Sequence, residues 1–167
     1  IISSKIKATD KSKICGFTGD LNNMESLYIF KDFFNKILKN NNYDCRSNNQ
    51  YINNSKREDY LFNSSINGIE DSDFIFLIGT NTRHEATILN SRIRKSCLNN
   101  NTKIISLNDQ GDLTFPYENL NGDSETIKNI TEGKHSVSEL LINSKNPMII
   151  LGPSVLENQS GKYIYES

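Results

Sequence analysis

Gly79-Thr80-Asn81-Thr82 is the stretch of this sequence best placed to hold a ligand. It follows the apolar run Phe74–Ile78 (FIFLI) and precedes a segment with helical periodicity, so it is a glycine turn between a strand and a helix. In an open α/β sheet ligands gather outside the carboxyl ends of the strands, where a helix N-terminus suits an anion. The other reactive residues offer less. Cys15, Cys45 and Cys97 are widely spaced with no C-x-x-C pair, whereas a closed zinc or iron–sulfur site needs about four soft ligands brought together. They read as free thiols in a reducing compartment. His84 follows the turn and is near enough in sequence to touch a ligand there, and His135 lies beside Gly133 in a loop. Neither has a second histidine or a carboxylate at metal-binding spacing, so both read as solvated or hydrogen-bonded structural residues. No Ser-His-Asp or Cys-His arrangement is supported. No catalytic residue and no metal ligand is assigned.

The elements that must position this turn follow from the hydrophobic pattern. Phe74–Ile78 is too short for a helix and is rich in aromatic and β-branched residues, which fits a strand buried on both faces of a parallel sheet. The helix after it has Glu85 in its first turn, an apolar face of Ala86, Leu89, Ile93 and Leu98, and Arg92, Arg94 and Lys95 near its end. The basic cluster reads as a complement to the helix dipole or as a contact with a neighbouring subunit. Earlier, Lys13–Phe17 reads as a first strand, and Asn22 or Asn23 caps a helix from Met24 to Leu38. Tyr43–Ser55 is an Asn-rich connection with at most one short strand. Asp59–Asn63 is ambiguous, and Gly68–Asp71 fits a turn of helix. Later, Thr102–Leu107 is the next parallel strand, Leu113–Phe115 a minor one, and Pro147–Leu151 a fourth, ended by Gly152-Pro153-Ser154. Ser124–Thr131 is a helix with Ile127 and Ile130 inward. Val137–Ile142 is another, with Ser136 and Glu139 in the pattern of a capping box. The order predicts an α/β fold with a parallel sheet flanked by helices on both faces. The domain is incomplete and spans 13–158, with tails at 1–12 and 159–167.

The 167 residues suffice for one such domain with a modest core. A net charge of −1 gives no electrostatic case for nucleic acid or for an anionic membrane surface. Hydrophobic content is 35%, low for a globular domain, which suggests that a partner or long polar loops cover much of the surface. Heavy use of Asn, Lys and Ile is what AT-rich codons give and hints at an organelle-type genome. No run approaches the ~18 apolar residues of a membrane span, and Ile1–Lys13 has no secretory signal core. Asn63-Ser64-Ser65 and Asn129-Ile130-Thr131 match the glycosylation acceptor pattern, as chance provides in a chain this rich in Asn.

Four stretches carry a family resemblance: CGFTGDLNNMESLYIFKDFFNKI at Cys15–Ile37, DYLFNSSINGIEDSD at Asp59–Asp73, IEDSDFIFLIGTN…RIRK at Ile69–Lys95, and LTFPYENLNGDSETIKNITEGKHSVSELLINSKNPMIILGPSVL at Leu113–Leu156. Together they resemble the molybdopterin-oxidoreductase fold, which is Rossmann-like. More closely, they resemble its cofactor-free version in the large iron–sulfur subunits of respiratory complex I, the NADH:ubiquinone oxidoreductase. The resemblance covers nearly the whole chain after residue 13. It implies a middle piece of a longer protein whose iron–sulfur half lies upstream, and no position here matches those cluster ligands. Molybdopterin enzymes use a G-T-N-P turn at this place to help hold the nucleotide part of the cofactor. Gly79, Thr80 and Asn81 match that turn, and Thr82 replaces its proline. Two readings stand: nucleotide or pterin binding, or an inherited fold whose pocket is now empty. The resemblance to cofactor-free relatives, and the lack of a following Cys or Ser with a metal-ligand role, favour the empty, vestigial pocket. The implied function is a non-catalytic, structural one in the peripheral arm of complex I, on the matrix side of the mitochondrial inner membrane. There the complex couples electron transfer from NADH to ubiquinone with proton translocation. The implied partners are other complex I subunits, especially the cluster-bearing part of the large one, and iron–sulfur clusters and FMN are expected in them. The alternatives are a cofactor-binding fragment of a molybdopterin-dependent dehydrogenase and a free-standing nucleotide-binding module.

Overall fold

Helix α1 (Ile2–Ala8) and a 3₁₀ turn (Lys11–Lys13) open the chain, so helix occupies the stretch that the sequence suggests as a tail over 1–12. The computed structural model describes residues 1–19, 21–45, 50–53, 55–57 and 60–167, in two units, 1–49 and 50–167. The rest of the first unit is a two-stranded parallel sheet with one helix. Strand β1 (Gly16–Phe17) is shorter than the Lys13–Phe17 expected. Asn23, not Asn22, caps helix α2 (Met24–Asp32), its side chain accepting from Ser26 N–H at 2.9 Å. The helix continues as π-helical turns over Phe33–Leu38, and Lys39 stops it at φ 55°. Strand β2 (Tyr43–Asp44) pairs with β1, Gly16 opposite Tyr43. Phe34 and Leu38 are buried, and the Phe34 ring centroid lies 5.0 Å from that of Phe30 and 5.4 Å from that of Tyr43.

The second unit holds the turn of interest. A 3₁₀ segment (Asn67–Asp71) leads into strand β3 (Phe74–Ile78). Helices α3 (Thr82–Glu85) and α4 (Thr87–Asn100) then lead to strands β4 (Lys103–Leu107) and β5 (Glu118–Leu120). Helices α5 (Ser124–Thr131) and α6 (Ser136–Asn143), strand β6 (Pro147–Leu151), and helices α7 (Pro153–Leu156) and α8 (Gly161–Glu166) complete it, so the stretch 159–167 is largely helical. The four strands are parallel in the order β5-β4-β3-β6. Every side chain of the inner strand β3 is buried, which is why its sequence is a continuous apolar run. One face packs Ile75 and Leu77 with Ile93 of α4, Ile69, Leu113 and Phe115. The other packs Phe74, Phe76 and Ile78 with Ile127 and Ile130 of α5, Val137 of α6 and Val155 of α7. The parallel sheet with helices on both faces is as the sequence predicts.

The structure corrects several expectations. Leu113–Phe115 is not a strand: Thr114 sits at φ 71°, a left-handed value that breaks extension, and Leu113 and Phe115 plug the α4 face from a loop. The strand beside β4 is Glu118–Leu120. Ser136 and Glu139 do not form a capping box; His135 caps α6, its Nδ1 accepting from Val137 N–H at 3.2 Å. A box forms instead on α5, where Asp123 Oδ1 accepts from Glu125 and Thr126 N–H and Thr126 Oγ1 accepts from Asp123 N–H. The helix after the turn is broken at Ala86 (φ −148°, ψ 68°). Because α4 runs on to Asn100, its basic cluster is not in the last turn and the helix dipole does not explain it. Arg92 and Lys95 both pair with Glu70, Lys95 at 2.7 Å, and Arg94 donates to the Thr114 carbonyl. Leu98 is 58% exposed, and Asn90 and Ser96 share the inward face with Ile93 instead.

Several carboxylates in this unit are held below their ordinary range. Glu70 is held there by Lys95 and Arg92, Asp73 by the backbone N–H groups of Lys145 and Asn146, Asp109 by the Tyr117 hydroxyl and Gly111 N–H, and Asp112 by Thr114 N–H and Arg83. A carboxylate with a depressed folded pKa adds stability above its unfolded value and loses it as pH falls through the folded one. The urea midpoint is therefore expected to hold between neutrality and about pH 5 and to fall below about pH 4, where ordinary Asp and Glu protonate. Urea titrations across that range check this; a midpoint flat down to pH 3 would contradict it.

Candidate functional site

Gly79 turns the chain at the carboxyl end of β3 with φ 61°, a value that suits glycine. A Cβ there would overlap Val155 Cγ2 and lie 2.9 Å from Ser154 Oγ. On the neighbouring strand end, Gly152 N–H donates to the Ile78 carbonyl at 2.8 Å, and a Cβ on Gly152 would run into the Gly79 carbonyl. Ser154 Oγ donates to that same carbonyl at 2.5 Å. The Gly152-Pro153-Ser154 segment that stops β6 thus lies directly against the turn.

The side-chain polar groups of the turn are spent within the fold. Thr80 is buried, and its hydroxyl donates to Glu85 Oε2 at 2.8 Å. Asn81 gives its backbone N–H to Glu85 Oε1 at 3.2 Å and its side-chain Nδ2 to the Gln110 carbonyl at 2.9 Å. Its Oδ1 accepts from His84 N–H at 3.2 Å, capping α3. Thr82, fully buried, donates to Asn90 Oδ1 at 2.7 Å, and Asn90 Nδ2 donates to the Leu113 carbonyl at 2.9 Å. Arg83 pairs with Asp112 at 2.6 Å, tying the same loop down from outside.

The Glu85 carboxylate therefore takes the hydroxyl and N–H that an incoming phosphate oxygen would use, and brings a negative charge that repels a second anion. Helix α3 is a single turn and supplies little dipole of its own. Among the described residues no buried side-chain polar atom lacks a partner, those of Thr80 and Thr82 included.

The other residues singled out from sequence are not gathered around it. His84 is exposed beside the turn, and His135 caps α6. Cys15 and Cys45 are exposed in the first unit, and Cys97 is half-buried on α4. Among the described residues no group of three or more His, Cys, Asp or Glu is placed to hold a metal ion. No helix among them is long and apolar enough to cross a membrane. Sequence reasoning placed Gly79, Thr80 and Asn81 correctly at a strand end but missed Glu85, Ser154 and Val155 as their partners. An acidic residue four positions after the capping Asn81 was the available signal for Glu85.

A parallel sheet whose inner strand ends in this glycine turn is a Rossmann-like architecture, and the chain belongs to the molybdopterin oxidoreductase family, which it matches over residues 1–167. Within that family it is similar to the NADH-ubiquinone oxidoreductase 75 kDa subunit of Reclinomonas americana, at 35% identity over 178 residues. It is similar too to the mitochondrial NADH dehydrogenase [ubiquinone] iron-sulfur protein 1 of Solanum tuberosum, at 33% over 165 residues, and to the mitochondrial NADH-ubiquinone oxidoreductase 78 kDa subunit of Candida albicans, at 40% over 149 residues. These alignments take in 99%, 99% and 89% of this chain but only 26%, 22% and 20% of the relatives. The chain thus spans about a fifth to a quarter of the length of the curated relatives it matches.

Proposed function

We infer that this chain is a non-catalytic, structural part of the peripheral arm of mitochondrial NADH:ubiquinone oxidoreductase. The observation that carries this is similarity over 89–99% of the chain to large subunits of that complex. On this reading the chain supports electron transfer from NADH to ubiquinone coupled to proton translocation, from the matrix side of the inner membrane. Iron–sulfur clusters and FMN then belong to partner subunits.

The turn at Gly79, Thr80 and Asn81 is read as vestigial and holds no pterin nucleotide. Glu85 engages the Thr80 hydroxyl and Asn81 N–H, and Ser154 and Val155 crowd Gly79, which supports this reading. A site that keeps a phosphate would leave those donors open. The surface supports assembly with other subunits. Tyr60, Leu61, Phe62, Ile66 and Ile88 are all exposed, and Phe62, Ile66 and Ile88 line an apolar groove of about 400 Å³ with Ala86, Thr87 and Leu89.

Native-gel separation of mitochondrial membranes followed by mass spectrometry tests the assignment. The chain is expected in the band with NADH dehydrogenase activity, and its consistent absence from that band would sink the reading. Metal analysis of the same band separates the alternative, because stoichiometric molybdenum or tungsten would favour a molybdopterin-dependent dehydrogenase.

A further inference from the structure

We propose that Asn121 is a site of spontaneous deamidation, with the backbone nitrogen of Gly122 as the attacking atom. The sequence has two Asn-Gly pairs, Asn67-Gly68 and Asn121-Gly122, and the fold treats them differently. Asn121 is exposed in the loop between β5 and α5, outside helix and strand. Its side-chain carbonyl accepts from Asn119 Nδ2 at 3.2 Å. A donor on that oxygen stabilises the negative charge that grows there as the carbon is attacked. Gly122 brings no Cβ of its own to crowd the attack, although the Thr126 side chain packs beside it, and its N–H donates one bond among the described residues, to Asn108 Oδ1 at 3.2 Å. Asn67 lies inside the 3₁₀ segment, and Gly68 N–H donates to both the carbonyl and the hydroxyl of Ser65, each at 2.9 Å. The attacking nitrogen there is pinned, and the helical backbone keeps it from the side-chain carbonyl.

In the reaction Gly122 N gives its proton to solvent and bonds to Asn121 Cγ, and the Cγ–Nδ2 bond breaks. Nδ2 leaves as ammonia and a five-membered succinimide remains. Water then opens the ring at either carbonyl, leaving aspartate or isoaspartate. One water is consumed, one ammonia is released, and nothing is oxidised or reduced. The isoaspartate product lengthens the main chain by one carbon two residues before Asp123, the cap of α5, and so pulls its carboxylate from Glu125 and Thr126 N–H. Asn121 thereby acts as an age mark that loosens the start of α5.

The test is incubation of the folded chain in mildly alkaline heavy-oxygen water, followed by peptide mass spectrometry. The Asn121 peptide is expected to convert roughly tenfold faster than the Asn67 peptide, the effect of about one extra hydrogen bond on the attacking amide. In urea the two rates are expected to converge. The Asn119→Ala variant, at an exposed position, is expected to slow Asn121 several-fold and leave Asn67 unchanged. Equal native rates, or Asn67 reacting first, would overturn the proposal, as would an Asn119→Ala protein that deamidates at the parent rate.

Discussion

Phe76→Ala is expected to destabilise the 50–167 unit by about 3–5 kcal/mol, the cost of truncating a buried aromatic. That is a large share of the 5–15 kcal/mol typical of a folded domain. Phe76 is 1% exposed at the midpoint of β3, registered between Ile105 of β4 and Ile149 of β6. Its ring fills the layer that Ile127, Ile130 and Val137 close from α5 and α6. The hydrogen-bonded sheet fixes the backbone on both sides, so the cavity left by the ring has little freedom to collapse. Urea unfolding is expected to show a lower midpoint with an unchanged slope. Ile149→Ala is the matched control: the side chain is 53% exposed on the edge strand, and its loss is expected to cost about 1 kcal/mol or less. Equal effects at the two positions would contradict the burial pattern.

Gly79→Ala is expected to cost about 2–5 kcal/mol, from two separable sources. The left-handed φ of 61° costs a residue with a Cβ about 1–2 kcal/mol. Overlap of that Cβ with Val155 adds about 1–3 kcal/mol of overpacking. A double-mutant cycle separates them. Val155→Ala made on the Gly79→Ala background is expected to relieve the overlap with Cγ2 and leave the backbone strain together with the tighter 2.9 Å contacts to the residue-155 Cβ and Ser154 Oγ. Thermal melts of the four proteins read this directly. A cycle with no coupling between the two positions would mean that α7 does not sit against the turn.

The parts of the fold legible in the sequence are those whose burial is two-sided or strongly periodic. Phe74–Ile78 is legible at its observed bounds because a strand that packs helices on both faces must be apolar throughout, and Pro147–Leu151 is legible as a short apolar run although Pro147 and Ile149 lie exposed on the edge strand. Helix α5 is legible at its observed bounds because Ile127 and Ile130 mark one face. Leu113–Phe115 misled because apolar alternation also describes a loop that plugs a core from outside, and the left-handed φ of Thr114 leaves no trace in composition. Glu118–Leu120 escaped notice because a three-residue strand with two exposed positions has no apolar signature. At the site, the glycine turn was legible and its occupancy was not. Glu85 reads as an ordinary acidic residue at a helix start until the break at Ala86 makes α3 a separate turn that points it back at Thr80 and Asn81. The pairing of Glu70 with Arg92 and Lys95 spans over twenty positions, beyond any local spacing rule.

The strand order β5-β4-β3-β6 also carries a cost during synthesis. One edge of Phe74–Ile78 is closed by β4, which follows soon after, but the other waits for Pro147–Leu151. At ribosomal speeds of roughly 5–20 residues per second, the intervening seventy or so residues take about 4–15 s to appear. Throughout that interval a nascent chain shows a bare, greasy β edge of the sort that templates clumping. Chains that stop short of Pro147 are accordingly expected to be retained by chaperones and cleared by proteases.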